Sequence, residues 1–538
     1  MESAPPGLVR RFLTTWRHIT GMLCGLLVAH VAARRRAGTA RGFGFALQAA
    51  LAALVRPLLD RRLRDRPFPV QFRRRLEILG PTYIKLGQIL SLRQDLLPAA
   101  ITDELKNLLD RLPAVTYARY CELVEEGLGR PVPAMFREIA REPVGSASIA
   151  QTHLATKLDG ERVILKVVKP GIAALLRRDA VLLRLFGRFL QVFLARFQPR
   201  RVIDEFCTYT LREVDLRREA DNAETFAANF EDHDGIVFPR IHRDLTSESV
   251  LCMEFFDGCK PSSKEAQALP EEERAALVDF GAEAIIRMLY KDGFFHADLH
   301  PGNLIVLPGP RAGFIDLGMV GRFDDQLRRT LLYYYYCLVM GDAENAARYL
   351  TSVADPAPGA DPDGFRKEVE DVSRRWARSA NFAEFSLARL ILESVGKAGK
   401  YRMYFPVEMV LMVKALVTFE GVGQILLPGF DVAKVSQRHI NRIFFGQFNP
   451  LRLAKESLRG APEVVDALVK APLLITEGLK FLEQSTRPRE NPLAGLRGTL
   501  MAGACLIGAT ILVAFGQPWW LAALLFVIAV ALFLRKGP

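Results

Sequence analysis

The sequence predicts a helix-rich α+β protein in two lobes, preceded by a helical extension and closed by a transmembrane helical hairpin. Three observations carry this reading. Strand-like runs, Val163–Val168 and Val250–Phe255, sit among long helical stretches between Pro131 and Asp257. A second pair of short apolar runs, Leu304–Leu307 and Gly313–Ile315, is folded together by a Pro/Gly turn. Two uncharged stretches end the chain, Gly498–Gly516 and Trp519–Leu534, with Gln517–Pro518 between them.

The first uncharged stretch has the roughly 20 residues that a spanning helix needs. The second is shorter and uses Trp519 and Trp520 with Arg535 and Lys536 as interfacial anchors. Arg487, Arg489 and Arg497 precede the pair, so both outer flanks are basic and both belong in the cytoplasm by the positive-inside rule. The hairpin occupies 496–538.

At the other end lies a basic arm, 1–75. It holds 15 arginines, no lysine and three acids, Glu2, Asp60 and Asp65. That surplus equals the +12 of the whole 538-residue chain, so everything after the arm is neutral. A charge confined to one arm sets nucleic acid aside as a partner and points to an anionic membrane lipid, or to a transit peptide. Within the arm, Ile19–Ala33 reads as a membrane-interfacial segment ahead of Arg34–Arg36. A cleaved export signal would separate the chemistry below from ATP, and is rejected.

Half of the residues are hydrophobic and a quarter charged, which excludes a disordered chain, a collagen and a wholly membrane-embedded transporter. The seven cysteines form no C-x-x-C pair, which argues for buried thiols rather than a disulfide framework or a zinc ribbon. The remaining segments are a helical segment 76–130, a smaller lobe 131–260, a catalytic core 261–345 and a helical extension with linker 346–495. Thr102 is placed to cap a helix. Pro356–Gly364 reads as a loop.

Chemistry concentrates in His296-Ala-Asp298-Leu-His300-Pro-Gly-Asn303, followed by the two-strand hairpin and Asp316-Leu-Gly318. An Asp, an Asn five residues on and a D-x-G across a hairpin form the catalytic arrangement of kinases. Asn303 and Asp316 are expected to hold Mg2+ against phosphates, with Asp298 orienting or deprotonating the nucleophile. Upstream, Lys166 sits in an apolar strand, where a lysine is costly unless paired. Glu219 is the carboxylate expected to pair with it. Asp215 and Glu219, four apart, share one helical face, and Glu213 points elsewhere.

Met253-Glu254-Phe255 reads as the hinge that meets the adenine of ATP. The phosphate loop is Val144-Gly145-Ser146-Ala147-Ser148-Ile149-Ala150-Gln151-Thr152, with one glycine among small residues that permit close backbone approach. His153 beyond it reads as structural. Between Asp316 and Thr330 there is no Ser, Thr or Tyr, and the only Ala-Pro-Glu is Ala461–Glu463, too late to close an activation segment. A protein kinase's peptide platform is therefore missing. Tyr333–Tyr336 reads as a packed helix face.

From Leu76 to Leu427 the sequence resembles the UbiB/AarF family of atypical kinase-like proteins. The diagnostic feature is Leu79-Gly-Pro-Thr-Tyr-Ile-Lys85-Leu-Gly87-Gln88, which looks like the family's K-x-G-Q signature on a helical segment ahead of a kinase core. The resemblance implies that Lys85, Gly87 and Gln88 fold over the active site, that Lys85 pairs with Glu213, and that Asp215 lies nearby in the family's E-x-D motif. It implies the Lys166–Glu219 ion pair, nucleotide contacts by the loop from Val144 to Ser148, Asp298 as catalytic Asp, and Asn303 and Asp316 as metal ligands. Gly145 and Ser146 replace alanines of the commonest family loop.

It further implies an ATP-binding membrane protein, with ATP and Mg2+ as cofactors, supporting ubiquinone biosynthesis. Its partners would be quinone precursors or quinone-biosynthesis enzymes, and its site the bacterial inner membrane with the kinase-like domain in the cytoplasm. ATPase activity is the expected reaction. A true small-molecule or protein kinase, and a non-catalytic nucleotide-gated scaffold, are the alternatives.

Overall fold

The computed structural model describes residues 7–447, except 61–62, 64–65, 92, 94–96, 109–113, 148, 194–197, 379–386 and 431, together with 523, 526 and 527. The chain divides into two units after Gly446. The hairpin expected over 496–538 lies outside the described residues apart from those three positions.

Two long helices open the first unit, α1 (Leu8–Arg36) and α2 (Phe43–Val55). They are followed by α3 (Phe68–Leu79), α4 (Pro81–Leu90), α5 (Ala99–Leu105) and α6 (Tyr117–Leu128). Gly21 and Gly25, four apart on α1, bring it close to α3. A Cβ at Gly21 would lie 2.3 Å from the Arg75 guanidinium, and one at Gly25 2.9 Å from Gln71. Ile19 and Val31 are buried, so Ile19–Ala33 is not a free interfacial segment, and much of its apolar face packs on protein. Thr102 does not cap α5. Pro98 precedes that helix, and the Thr102 hydroxyl donates back to Ala99 O inside it.

The smaller lobe is an antiparallel sheet of β1 (Phe136–Ile139), β2 (Gly145–Ser146), β3 (Ala150–Lys157), β4 (Arg162–Val168) and, after three helices, a further strand at 250–254. Helix α6 packs on this sheet, where Tyr120 Oη donates to Leu165 O at 2.7 Å and Val124 is fully buried. Between β4 and the helix bearing Glu219 come α7 (Ile172–Phe193) and α8 (Pro199–Arg212). Their apolar faces join α3 and α4 in a common core of Leu76, Leu79, Tyr83, Leu86, Leu183, Ile203 and Phe206.

Helix α9 (Leu216–Asn229) then starts afresh. The helix expected to run through 211–219 is broken, because Asp215 takes an extended conformation and its carboxylate accepts from Arg217 N. Carboxylates favour this capping position over helix interiors. Asp215 and Glu219 therefore do not share a helical face.

After β5 (Ile236–Val237), β6 (Val250–Glu254) completes the smaller lobe's sheet, and the larger lobe continues with α10 (Lys264–Gln267) and α11 (Glu271–Ile286). Then come β7 (Phe294–His296), β8 (Leu304–Leu307), β9 (Arg311–Phe314) and β10 (Val320–Arg322). The hairpin is as expected, with Leu304 opposite Phe314. Helix resumes at α12 (Asp325–Val339), capped by Asp324, and continues as α13 (Ala343–Val353). Tyr334 and Tyr335 are buried and Tyr336 stacks on Phe444 at 3.8 Å, so the tyrosine run is a packed face.

The remaining elements are β11 (Asp355–Pro356), α14 (Pro362–Arg378), α15 (Leu387–Ala398), β12 (Met403–Tyr404), α16 (Val407–Leu426) and α17 (Val432–Gln447). Among the described residues, α16 alone is long and apolar enough to cross a membrane, and it is a core helix, with Met409, Met412 and Ala415 fully buried.

Candidate functional site

A cavity of about 470 Å³ lies where the two lobes and the helical layer meet. The sheet supplies Lys166, whose strand alternates so that Val163, Leu165 and Val167 face the α6 core and Lys166 the other side. Helix α9 supplies Glu219. Lys166 Nζ donates to Glu219 Oε1 and Oε2 at 2.8 and 2.9 Å, and to Asp316 Oδ1 at 2.8 Å. Burial alone would lower the Lys166 pKa, but the two carboxylates outweigh it and hold it above its ordinary value. The Asp316 pKa is pushed far down, first by Lys166. Burial pushes that of Glu219 up, against Lys166. Asp316 is thus the carboxylate kept ionised, and its side chain is half exposed to the cavity.

Asp316 sits at φ 56°, a left-handed conformation that Asp and Asn tolerate better than most residues. Gly318 leaves room for both carboxylates, since a Cβ there would stand 3.3 Å from Glu219 Oε2 and 3.6 Å from Asp316 Oδ1. The catalytic loop is wired to the same hairpin. Asn303 Nδ2 donates to Asp298 O at 3.1 Å, and Ile315 N donates to Asn303 O at 2.9 Å. His296 is fully buried, and its Nδ1 accepts from Asp298 N at 3.0 Å. Burial lowers its pKa to about 4, so the ring is neutral at pH 7.

The K-x-G-Q helix forms the opposite wall. Lys85 pairs with Glu213, which ends α8, and both line the cavity with Gln88. Gly87 faces the other way and is required by packing. A Cβ there would lie 2.3 Å from Leu108 Cδ1 and 2.7 Å from Leu76 Cδ1.

Several expected residues stand elsewhere. Asp215 is turned onto Arg217, with Oδ1 2.8 Å from Nε, and does not line the cavity. Among the described residues of the phosphate loop, Ala147, Ile149 and Ala150 line it. Gly145 and Ser146 pair with Thr152 and Gln151 as a β-hairpin, and Val144 N donates to Thr152 O. Gln151 is buried on the far side of the sheet, bridging both backbone groups of Val115 and reaching His153. His153 is structural, stacked on Tyr120 at 4.0 Å. Ser148 lies outside the described residues. The Glu254 and Phe255 amides donate to Arg240 O and Arg162 O, and neither residue lines the cavity.

Two site residues have no sequence motif. Lys414 on α16 places Nζ 2.7 Å from Asp298 Oδ1 and lines the cavity. A lysine amid the apolar run of α16 was the available signal. Lys260 donates to Gly302 O beside the catalytic loop, and burial lowers its pKa against the pull of Asp316.

Residues 107–350 match the ABC1 atypical kinase-like domain, and 377–431 the UbiB helical domain. A "Probable protein kinase UbiB" of Azotobacter vinelandii is 32% identical over 472 residues, covering 86% of each chain. Another of that name, from Marinobacter nauticus, is 30% identical and covers 81% of this chain and 84% of its own. An uncharacterized protein of Synechocystis sp. is 31% identical, covering 77% of this chain and 72% of its own.

Proposed function

The chain belongs to the UbiB family of atypical kinase-like proteins, and from that premise we propose that it is a membrane-anchored, Mg2+-dependent ATPase serving ubiquinone biosynthesis. The observation that carries the reaction is the gathering of Lys166, Glu219, Asp298, Asn303 and Asp316 around one cavity.

The donor set fits Mg2+. Asp316 offers an ionised carboxylate to the cavity. Asn303 spends its amide N–H on Asp298 O, which leaves its carbonyl oxygen as the ligand atom. Among the described residues no group of three His, Cys, Asp or Glu could hold a metal alone. Mg2+ suits such a site, because it takes one or two protein oxygens and completes its shell with phosphates and water. When bound, it supplies neutralisation of the charge that builds on the phosphates. Lys166 adds a second positive charge there. Asp298 orients the attacking water and takes its proton, as the water oxygen bonds to the γ-phosphorus and the bond to the β–γ bridging oxygen breaks.

ATPase is preferred to protein kinase because the outer wall of the cavity is made by Lys85 and Gln88 of α4 and by Lys106 and Leu108, where a peptide would have to lie. The ATP turnover is read as serving the handling of lipidic quinone precursors or of the enzymes that modify them. Calorimetric titration with Mg-ATP tests the site. Binding that disappears in Lys166→Met is expected, and undiminished binding in that variant would refute the assignment. Quinone profiles of a deletion strain test the pathway. Accumulated precursor is expected, and an unchanged profile contradicts it.

A further inference from the structure

A second cavity, of about 300 Å³, lies in the helical layer between α1, α3, α4, α7 and α8. That is the lower end of the size of small-molecule sites. Met22 and Leu26 of α1, Phe72 of α3, Leu86 of α4, and Leu183 and Leu190 of α7 are among its walls. Every wall residue is apolar except Tyr83, whose hydroxyl is turned to Thr15 Oγ1 at 3.4 Å. A water there would find almost no partners, and a polar ligand none. Only a hydrocarbon suits it.

The surroundings identify the source. Leu26 is 39% exposed and Leu190 half-buried, so the cavity opens to the surface. Beside that opening α7 exposes Val181, Leu185, Phe189 and Val192, a stripe at helical spacing, and α1 exposes Val9, Leu13 and Trp16. The Trp16 and Phe189 rings lie 5.5 Å apart and join the two stripes. Helix α2 has 13 residues without a charge and exposes Phe43, Leu47, Leu51 and Leu54. At 1.5 Å per residue it is about 20 Å long, too short to span a bilayer and suited to lying in its surface. Arg41 precedes α2 and Arg34, Arg35 and Arg36 end α1. An apolar face edged by arginines complements an anionic leaflet.

We propose that this cavity takes one acyl tail of an anionic bilayer phospholipid, entering past Leu26 while the headgroup stays with the arginines. The proposal goes beyond the ATPase reading and needs no turnover. It bears on that site because α4 is a wall of both cavities: Lys85 and Gln88 face the polar one, and Tyr83, Leu86 and Leu90 the apolar one.

Photolysis of the full-length protein in vesicles containing phosphatidylglycerol with a diazirine at its acyl terminus tests it, followed by peptide mapping. Labelling of residues 19–26, 83–90 and 183–190 is expected. Leu86→Trp, which fills the cavity, should reduce that labelling roughly tenfold while leaving labelling of 43–55 unchanged. Leu26→Trp, at an exposed position on the cavity wall, should do the same by narrowing the mouth. Labelling confined to 43–55 and the outer face of α7, or undiminished cavity labelling in both variants, would overturn the proposal. So would a cavity labelled only by a diazirine-bearing prenyl phenol, or cross-links tying 498–534 of the chain itself to 19–26.

Discussion

Asp298 is held by a cation from a helix far downstream in the chain. Lys414 Nζ stands 2.7 Å from its Oδ1, so the larger lobe's helical extension reaches into the candidate site. On the proposed reaction Lys414 is a positioning residue, fixing the carboxylate that would meet the attacking water. Lys414→Met should lower kcat for ATP roughly 10- to 100-fold, with KM changed much less, and Lys414→Arg should recover part of it. Steady-state kinetics of the three proteins checks this; equal losses in Met and Arg would mean that the lysine only packs. His296 makes a second claim at this scale. Its folded pKa of about 4 lies below the roughly 6.5 of an unfolded histidine. Its stabilising contribution is therefore complete above about pH 6.5 and is lost as pH falls toward 4, by about 3 kcal/mol in all. His296→Asn, which can still accept from Asp298 N as an Asx turn, should flatten the fall of melting temperature between those pH values. An unchanged acid limb would place the acid lability elsewhere.

Helix α4 does two jobs because its faces differ. Residues 85 and 88 meet the polar cavity, while 83, 86 and 90 meet apolar neighbours, and Gly87 closes the packing against Leu76 and Leu108. Gly87→Ala overfills that contact and should destabilise the protein by about 1–3 kcal/mol, read as a lower melting temperature. An unaltered melting temperature would show that the two leucines yield freely. This helix, the β8–β9 hairpin and the Lys166 strand were legible because each has a local signature, whether a motif, a turn or an apolar period. The break between α8 and α9 was not. A charged helical pattern runs on through it, and only Asp215, extended and capping the start of α9, marks the break. Which residues of the phosphate loop line the cavity was not legible for a related reason. Small residues announce close backbone approach, but strand register decides which of them face the cavity, and pairing of Gly145 with Thr152 turns half of the loop aside. Lys414 stood out only as a lysine in an apolar run; its role was not legible, because Asp298 is brought to it by tertiary packing.

Over the whole molecule, the surplus charge of the arm is partly used inside the fold. Arg11 donates to both oxygens of buried Asp179 at 2.7 and 2.6 Å, joined by Thr82, and Arg73 pairs with Glu77 and Glu104. The helical layer is thus tied to α7 by an arginine that a charge count would assign to lipid. Arg34–Arg36 form a basic cluster at the end of α1, which the proposed membrane contact would use. On anionic vesicles, trypsin cleavage at Arg34–Arg36 should be slow in low salt and accelerate in molar salt, where the Debye length falls to about 3 Å, while the protein stays in the membrane pellet. Cleavage at one rate in both would contradict membrane contact by the arm. The proposed reaction rests on Asp316, whose left-handed backbone accepts Asn, so Asp316→Asn removes the charge without disturbing the turn. The most direct measurement is ADP release by the full-length protein in anionic vesicles with Mg2+, wild type against Asp316→Asn. Steady turnover that falls on the order of 100-fold or more in the variant is expected. An Asp316→Asn protein that hydrolyses ATP as fast as the wild type, or a wild type that binds ATP without turning it over, would contradict the ATPase assignment.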